Sequence, residues 1–226
     1  MNSVSTKLNH FFSRFPKKTF LKYQTIIQPD QPPAGIYFLK KGYVRLFTAS
    51  AQGQELTLNL FKPGSYFSMI WALSDQTNHF FFESFTPTTT YRAPKKDVLD
   101  FLKKEPAVFF DLNRRMLTGI NGLLNRIEYL VFGKAKNKLT SHLAILAKRF
   151  GEQTAPNRAK ICLPLSHQDL AHLNGLTRET TSLLMKKLAD KKIIDYQRKT
   201  ITVLDLKKLK EESLIFDQAR PLPTIL

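Results

Sequence analysis

The chain is predicted to be α+β, with an N-terminal antiparallel β-roll, a long central helix and a C-terminal winged helix-turn-helix. Three observations predict it. Short apolar runs between Thr19 and Ala93 alternate with polar residues and are punctuated by glycines 42, 53 and 64, eleven residues apart. An apolar stripe with helical spacing runs from Phe109 to Leu130. The stretch LSHQDLAHLNGLTRETTSLLMKKL, from Leu165 to Leu188, reads as two short helices about Gly175, and IIDYQRKTITVL after it reads as a two-stranded wing.

Taken in order, residues 1 to about 15 suit a short amphipathic helix, because Leu8, Phe11, Phe12 and Phe15 share a face before Pro16. Turn signals every eleven residues then favour an antiparallel sandwich or barrel over alternating strands and helices. Asp97 to Lys103 suits one helical turn or two. Glu105-Pro106 opens the longest helical pattern, which ends near Phe132.

Its stripe is Phe109, Asn113, Met116, Ile120, Leu123, Ile127 and Leu130. Steps of four and three make a heptad seam, which favours a partner helix over a sheet surface, so a parallel homodimer is expected. Asn113 is the polar position that helps fix register. Gly133 is the expected hinge to a helix from Lys134 to Phe150, whose stripe is Leu139, Leu143, Leu146 and Phe150. Gly151 to Pro156 reads as a loop, Ile161 to Leu163 as a short strand, Asp205 to Leu214 as a last charged helix, and the tail ARPLPTIL as irregular. Three parts are therefore expected: residues 1–105 as a β-roll, 106–133 as dimerisation helix and hinge, and 134–226 as a DNA-binding domain.

In the helix-turn-helix, Ser166 is the expected cap of the first helix with Asp169 as its acidic partner, and Leu170, Ala171 and Leu173 its inner face. Thr177 caps the second, with Thr181, Leu184 and Leu188 inward and Arg178, Glu179, Ser182 and Lys186 outward. The outward set suits a major groove, because arginine forks onto guanine, glutamate accepts from cytosine and lysine neutralises phosphate. The expected DNA-binding residues are Ser166, His167, Gln168, Thr177, Arg178, Glu179, Thr180, Ser182 and Lys186, with Arg198 and Lys199 at the basic turn of the wing. Such a hairpin without its wing is equally a solvated surface element; the wing makes the pattern specific.

Composition agrees. The 226 residues are 42% hydrophobic, ordinary for a globular protein, and carry a formal net charge of +17, which favours phosphate-bearing partners. From Lys134 onward the net charge is +9 and before it +8, so charge does not locate the site. The N-terminus lacks the apolar core of a signal peptide and no apolar run is long enough to span a bilayer, so a soluble cytoplasmic protein without a membrane partner is expected. Cys162 is the only cysteine, which excludes an intramolecular disulfide and a cysteine-ligated iron–sulfur cluster within one chain. It sits in an apolar segment where a buried, inert thiol is expected. Enzymatic chemistry finds no support: there are no paired carboxylates, no nucleophile elbow, no phosphate-cradling loop and no metal-spaced histidines, His167 and His172 being five apart.

The order of these parts resembles the Crp/Fnr superfamily of bacterial transcription regulators over nearly the whole chain. GIYFLKKGYVRLFTASAQGQELTLNLFKPGSYF is similar to that family's cyclic-nucleotide-binding-like jelly roll, with Gly42, Gly53 and Gly64 at its turns, and LTRETTSLLMKKL to its recognition helix, with Arg178 and Glu179 at the DNA-reading positions. The resemblance implies double-stranded DNA, a second copy of the chain and RNA polymerase as partners, and it assigns a sensor role to the roll of residues 1–105. Departures matter equally. Where cyclic-AMP-binding members carry a Gly-Glu-Leu run this chain has Ser68, Met69 and Ile70, and near the Arg-Ser or Arg-Thr pair it has Asn78 and His79. No guanidinium fork is left for a cyclic phosphate, and Leu123 and Leu124 offer nothing to a purine, so no cyclic nucleotide is expected. Leu183 stands where many members carry a second base-reading arginine.

The stretch that replaces the cassette is aromatic and soft. Tyr66, Phe67, Met69, Trp71, His79 and Phe81, with Leu123, Leu124 and Ile127, are the effector-pocket candidates; the same aromatics, with Phe80 and Phe82, equally well fill the cavity as core. The altered cassette also resembles that of the PrfA-like branch, which responds to a thiol peptide. No haem, metal or other cofactor is expected. The alternative function is a small-molecule sensor working through protein contacts.

Overall fold

The computed structural model describes residues 3–214. They form two compact units that divide between Gly119 and Ile120. The tail ARPLPTIL lies outside the described residues.

The first unit opens with α1 (Val4–Phe12), which buries Leu8, Phe11 and Phe12 as the helical spacing predicts. Eight strands follow: β1 (Lys17–Phe20), β2 (Thr25–Ile27), β3 (Ile36–Lys41), β4 (Val44–Ala49), β5 (Glu55–Phe61), β6 (Tyr66–Phe67), β7 (Phe81–Ser84) and β8 (Thr88–Ala93), with the short helix α2 (Met69–Ser74) between β6 and β7. They make two antiparallel four-stranded sheets, ordered β1-β8-β3-β6 and β2-β7-β4-β5. β3 is buried on both faces, which is why its sequence reads as a continuous apolar run. Tyr37 and Leu39 pack with Phe67, Ile27, Val44 and Phe82 between the sheets. Ile36 and Phe38 pack on the other side with α1, α2, α3 (Lys95–Lys104) and the start of the next helix through Val108 and Leu112. Each fully buried Phe or Leu there contributes about 2 kcal/mol. Gly42 has to be glycine, because its φ is +82° and a Cβ would stand 2.4 Å from the Pro87 carbonyl oxygen.

The long helix α4 (Pro106–Phe132) has the predicted bounds. Val108 and Leu112 are buried near its start, Arg126 and Tyr129 near its end. Phe109, Asn113, Met116, Ile120, Leu123 and Ile127 of the predicted seam are exposed and Leu130 is half-buried. A second exposed row, Phe110, Leu117, Leu124 and Val131, runs beside them at intervals of seven. The stripe is thus wider than the seam read from the sequence. Asn113 donates to the Phe109 carbonyl within its own helix at 2.8 Å.

The second unit is built on α5 (Ala135–Phe150), whose Leu139, Leu143, Leu146 and Phe150 are all buried. Gly133 precedes it; a Cβ there would lie 2.3 Å from the Tyr129 carbonyl oxygen. The residues expected as a loop form β9 (Gly151–Ala155) instead, paired with β10 (Arg158–Ile161) so that Gly151 faces Ile161 and Glu152 faces Lys160. A polar edge strand without alternation leaves no signal of its own; its partner supplies the ladder. The strand expected at Ile161 to Leu163 instead starts at Arg158, where its pairing with β9 begins, and ends at Ile161, before Pro164, which has no N–H to donate. After the helix pair α6 (His167–Asn174) and α7 (Arg178–Asp190), strands β11 (Ile194–Gln197) and β12 (Thr200–Val203) complete a sheet ordered β11-β12-β10-β9. Asp205 caps α8 (Leu206–Glu211), which is shorter than expected. Cys162 is half-buried rather than buried, and burial with the nearby Glu152 raises its thiol pKa.

Candidate nucleic-acid interface

Local sequence sets both helices of the pair. Ser166 and Asp169 form a reciprocal capping box: the Ser166 hydroxyl accepts from the Asp169 amide at 3.1 Å, and the Asp169 carboxylate accepts from the Ser166 amide at 2.8 Å. Gly175, at φ +59°, ends α6 in the left-handed conformation that glycine adopts without strain. Thr177 then caps α7 by accepting from the Thr180 amide at 3.1 Å. Leu170, Ala171 and Leu173 of α6 are buried as expected. On α7 the buried set is Thr181, Met185 and Leu188, not Thr181, Leu184 and Leu188. Leu184 is half-buried. Steps of three and four fit either residue, and the two lie equally far from the middle of the face set by Thr181 and Leu188, so periodicity alone does not choose between them.

The opposite face of α7 carries Arg178, Glu179 and Lys186, all exposed, with Thr180 and Ser182 half-buried beside them. Arg178 and Glu179 thus stand on the first turn of the helix, at its positive dipole end, and Lys186 stands in its C-terminal half. Leu183, 55% exposed, stands among them.

The wing supplies a second basic element. Arg198 and Lys199 form the two-residue turn between β11 and β12 with φ values of +48° and +68°. Two left-handed residues in a two-residue hairpin loop suit glycine or asparagine far better. Placing long cations there costs about 1–2 kcal/mol each, a strain of the kind found at functional sites. The wing tip is tied to the start of α6: the Leu165 amide donates to the Lys199 carbonyl at 2.9 Å, and the Tyr196 hydroxyl donates to the Leu165 carbonyl at 3.2 Å. His167 stacks on Tyr196 with ring centroids 4.7 Å apart. Burial, then the charge of Arg178, lowers the His167 pKa and keeps the ring neutral. Gln168 is exposed and bonds His172 at 2.6 Å. Tyr196 and Leu165 join this site without being predicted from the sequence; the aromatic side chain in the wing strand is the one signal for Tyr196.

Behind the pair, the end of α4 is anchored in the same unit. The Arg126 guanidinium donates to the Leu173 carbonyl at 2.6 Å, a cation at the C-terminal end of α6. Tyr129 meets His142 Nδ1 of α5 at 3.1 Å. Complete burial, and after it the charges of Arg126 and Arg149, hold His142 well below its ordinary pKa.

The aromatic residues of the roll are divided. Tyr66, Met69 and Trp71 pack in the cluster under α1, Phe67 packs between the sheets, and Phe81 stacks on Phe47 at 4.9 Å. Burial pushes the Tyr66 hydroxyl pKa up to about 12. His79 is exposed and pairs with Asp30 at 2.7 Å, while Asn78 donates to the Gln28 and Phe80 carbonyls. Leu123, Leu124 and Ile127 are exposed on α4 in the second unit. Arg45 is committed to Glu83 at 2.8 Å and Glu55 at 2.7 Å. Among the described residues no group of three histidine, cysteine or acidic side chains is placed to hold a metal ion, and no helix is long and apolar enough to cross a membrane.

Known proteins share this plan. Residues 17–105 match the cyclic nucleotide-binding domain and residues 137–212 the Crp-like helix-turn-helix domain. The global nitrogen regulator of Synechocystis is 33% identical over 192 residues, covering 82% of this chain and 83% of that protein. The chain belongs to the Crp/Fnr family of transcription regulators. The transcriptional regulator SdrP of Thermus thermophilus is 30% identical over 77% of this chain and 82% of its own length. A solved CRP/FNR-family regulator from the same organism superposes with a TM-score of 0.69 at 28% identity, over 87% of this chain and 97% of that one. FixK2 from Bradyrhizobium japonicum, at 18% identity and a TM-score of 0.76, shares the fold, over 89% of this chain and 98% of its own.

Membership makes the chain a DNA-binding regulator and not an enzyme. The departure at Leu183 lies on the exposed face of α7, whereas the departure at Asn78 and His79 lies in the roll.

Proposed function

We propose that this Crp/Fnr regulator acts in the cytoplasm as a homodimer on an inverted-repeat operator, with residues 1–105 as sensor, 106–133 as dimerisation helix and hinge, and 134–226 as DNA-binding domain. The observation that carries the dimer is the stripe of α4: two rows of large apolar side chains, Met116, Ile120, Leu123 and Ile127 beside Phe110, Leu117, Leu124 and Val131, are exposed along one helix. A monomer rarely exposes so continuous an apolar face, and its period of seven suits a second copy of the same helix. Two-fold pairing sets two α7 helices about one turn of DNA, ~34 Å, apart.

Arg178, Glu179, Thr180 and Ser182 read bases; Ser166, His167, Gln168, Thr177, Lys186, Arg198 and Lys199 position the protein on phosphates. RNA polymerase is the further partner. Control by a small molecule other than a cyclic nucleotide is supported by the cassette, which presents Asn78 and His79 where a cyclic phosphate needs arginine. The test is titration of operator and random DNA by the purified protein at several salt concentrations. Specific binding should weaken steeply with salt, with a slope set by the phosphates neutralised, and cyclic AMP should leave it unchanged. Salt-independent binding, or stimulation by cyclic AMP, overturns this reading.

A further inference from the structure

Leu183 is an anomaly in its surroundings. Among the described residues after Phe132 it is the one large hydrophobic side chain that stands exposed, at 55%. Its helix has a well-defined buried face, Thr181, Met185 and Leu188. Winding at about 100° per residue places Leu183 within about 15° of the line directly opposite the middle of that face. Glu179, one turn earlier, and Lys186, nearly one turn later, flank it on the same ridge and are exposed. Leu183 therefore lies on the outermost line of α7 with Asp190, the last residue of the helix. It is the one of the two in the half that carries Arg178 and Glu179, so in a helix laid into a major groove by that half it points at the base edges.

We infer that Leu183 is a specificity-determining residue that reads the C5-methyl group of a thymine in the operator half-site, an inference that rests on the DNA-reading role of α7 proposed above. Of the groups base pairs present in the major groove, the thymine methyl is the apolar one; every other is a hydrogen-bond donor or acceptor that leucine would desolvate without pairing. A guanine or cytosine edge at that position is penalised and an A·T pair favoured. Arg178 and Glu179 supply the polar readout at neighbouring positions, so the half-site combines hydrogen-bonded pairs with one methyl-selected pair. Leu183 also makes no charge contact with phosphate, so its contribution is independent of salt.

The experiment starts from the operator selected from random DNA by the full-length protein, and replaces each half-site thymine in turn by deoxyuridine, which lacks only the methyl group. One thymine per half-site should respond, with affinity falling about fourfold per half-site, the worth of one buried methyl group, and with the salt slope unchanged. Leu183→Ala should bind thymine and deoxyuridine operators equally while keeping the guanine discrimination that depends on Arg178. Leu183→Arg should shift selection at that base pair towards guanine. Equal binding of thymine and deoxyuridine operators by the unmodified protein at every position overturns the inference, as does a methyl dependence that persists in Leu183→Ala. Both results leave salt-dependent operator binding standing; its absence instead fails the proposed function.

Discussion

Helices α4 and α7 both leave one face uncovered, and the two faces have opposite chemistry. On α4 the open face is apolar except at Asn113 and repeats every seven residues, from Phe110 to Val131. On α7 it is polar and charged, with Leu183 as its single large apolar member. Apolar area gains from being removed from water whatever covers it, and a repeat selects a partner with the same repeat. Hydrogen-bonding groups at irregular spacing gain only where a partner presents matching groups, which is how a base sequence is read. Exposure alone does not identify a partner; the periodicity of what is exposed does.

The largest effect is expected at α4. Ile120→Glu places a carboxylate in the middle of the stripe, and burying it against a second copy costs about 3 kcal/mol or more. Sedimentation should find a monomer, and operator affinity should drop at least a hundredfold while the helical circular dichroism persists. An Ile120→Glu protein that still sediments as a dimer would remove α4 from the interface.

Next in size is Arg178→Ala on the other face, expected to weaken operator binding by about 1–3 kcal/mol and to relax one half-site position. Lys186→Ala should weaken all DNA sequences alike and lower the salt slope, which quantitative band-shift titration would detect.

Replacing the wing turn gives effects of opposite sign. Arg198→Gly with Lys199→Gly removes two strained left-handed residues, so urea unfolding should show a gain of about 1 kcal/mol. Four fewer cations in a dimer should reduce the salt slope of DNA binding by about 3 to 4. A variant that gains stability with an unchanged slope would show that the wing tip does not meet phosphate.

The smallest effect is on stability against pH. His142 is held below its ordinary value of 6.5 in the folded protein. Between 6.5 and the folded value the unfolded chain binds the extra proton, so stability is full above pH 6.5 and falls as pH drops through the lower, folded value. Urea midpoints at pH 7.5 and 5.5 should differ, and His142→Leu should shrink the difference. His167, also lowered, adds to it in the same direction.

What could be read in the sequence follows the same division. Caps announce themselves by residue type, so Ser166, Gly175 and Thr177 are located from local chemistry alone, whereas the Arg198-Lys199 turn is located by the alternating runs on either side of it. The bounds of α4 follow from Pro106 at one end and Gly133 beyond the other. Tertiary partners are invisible to that reading. β9 exists because β10 pairs with it, and Met185 replaces Leu184 inside because of what α7 packs against. The anchoring of α4 by Arg126 joins residues 47 positions apart. The division of Tyr66, Phe67 and Phe81 among separate packing environments depends on which face of which sheet each occupies, and a run of aromatics does not encode that.

The most direct test of the central claim is to measure binding of the unmodified protein and Arg178→Ala to a selected operator and to random DNA at one fixed salt concentration. α7 as the reading element predicts a loss confined largely to the operator, about ten- to a hundredfold. An equal loss on both DNAs would contradict it.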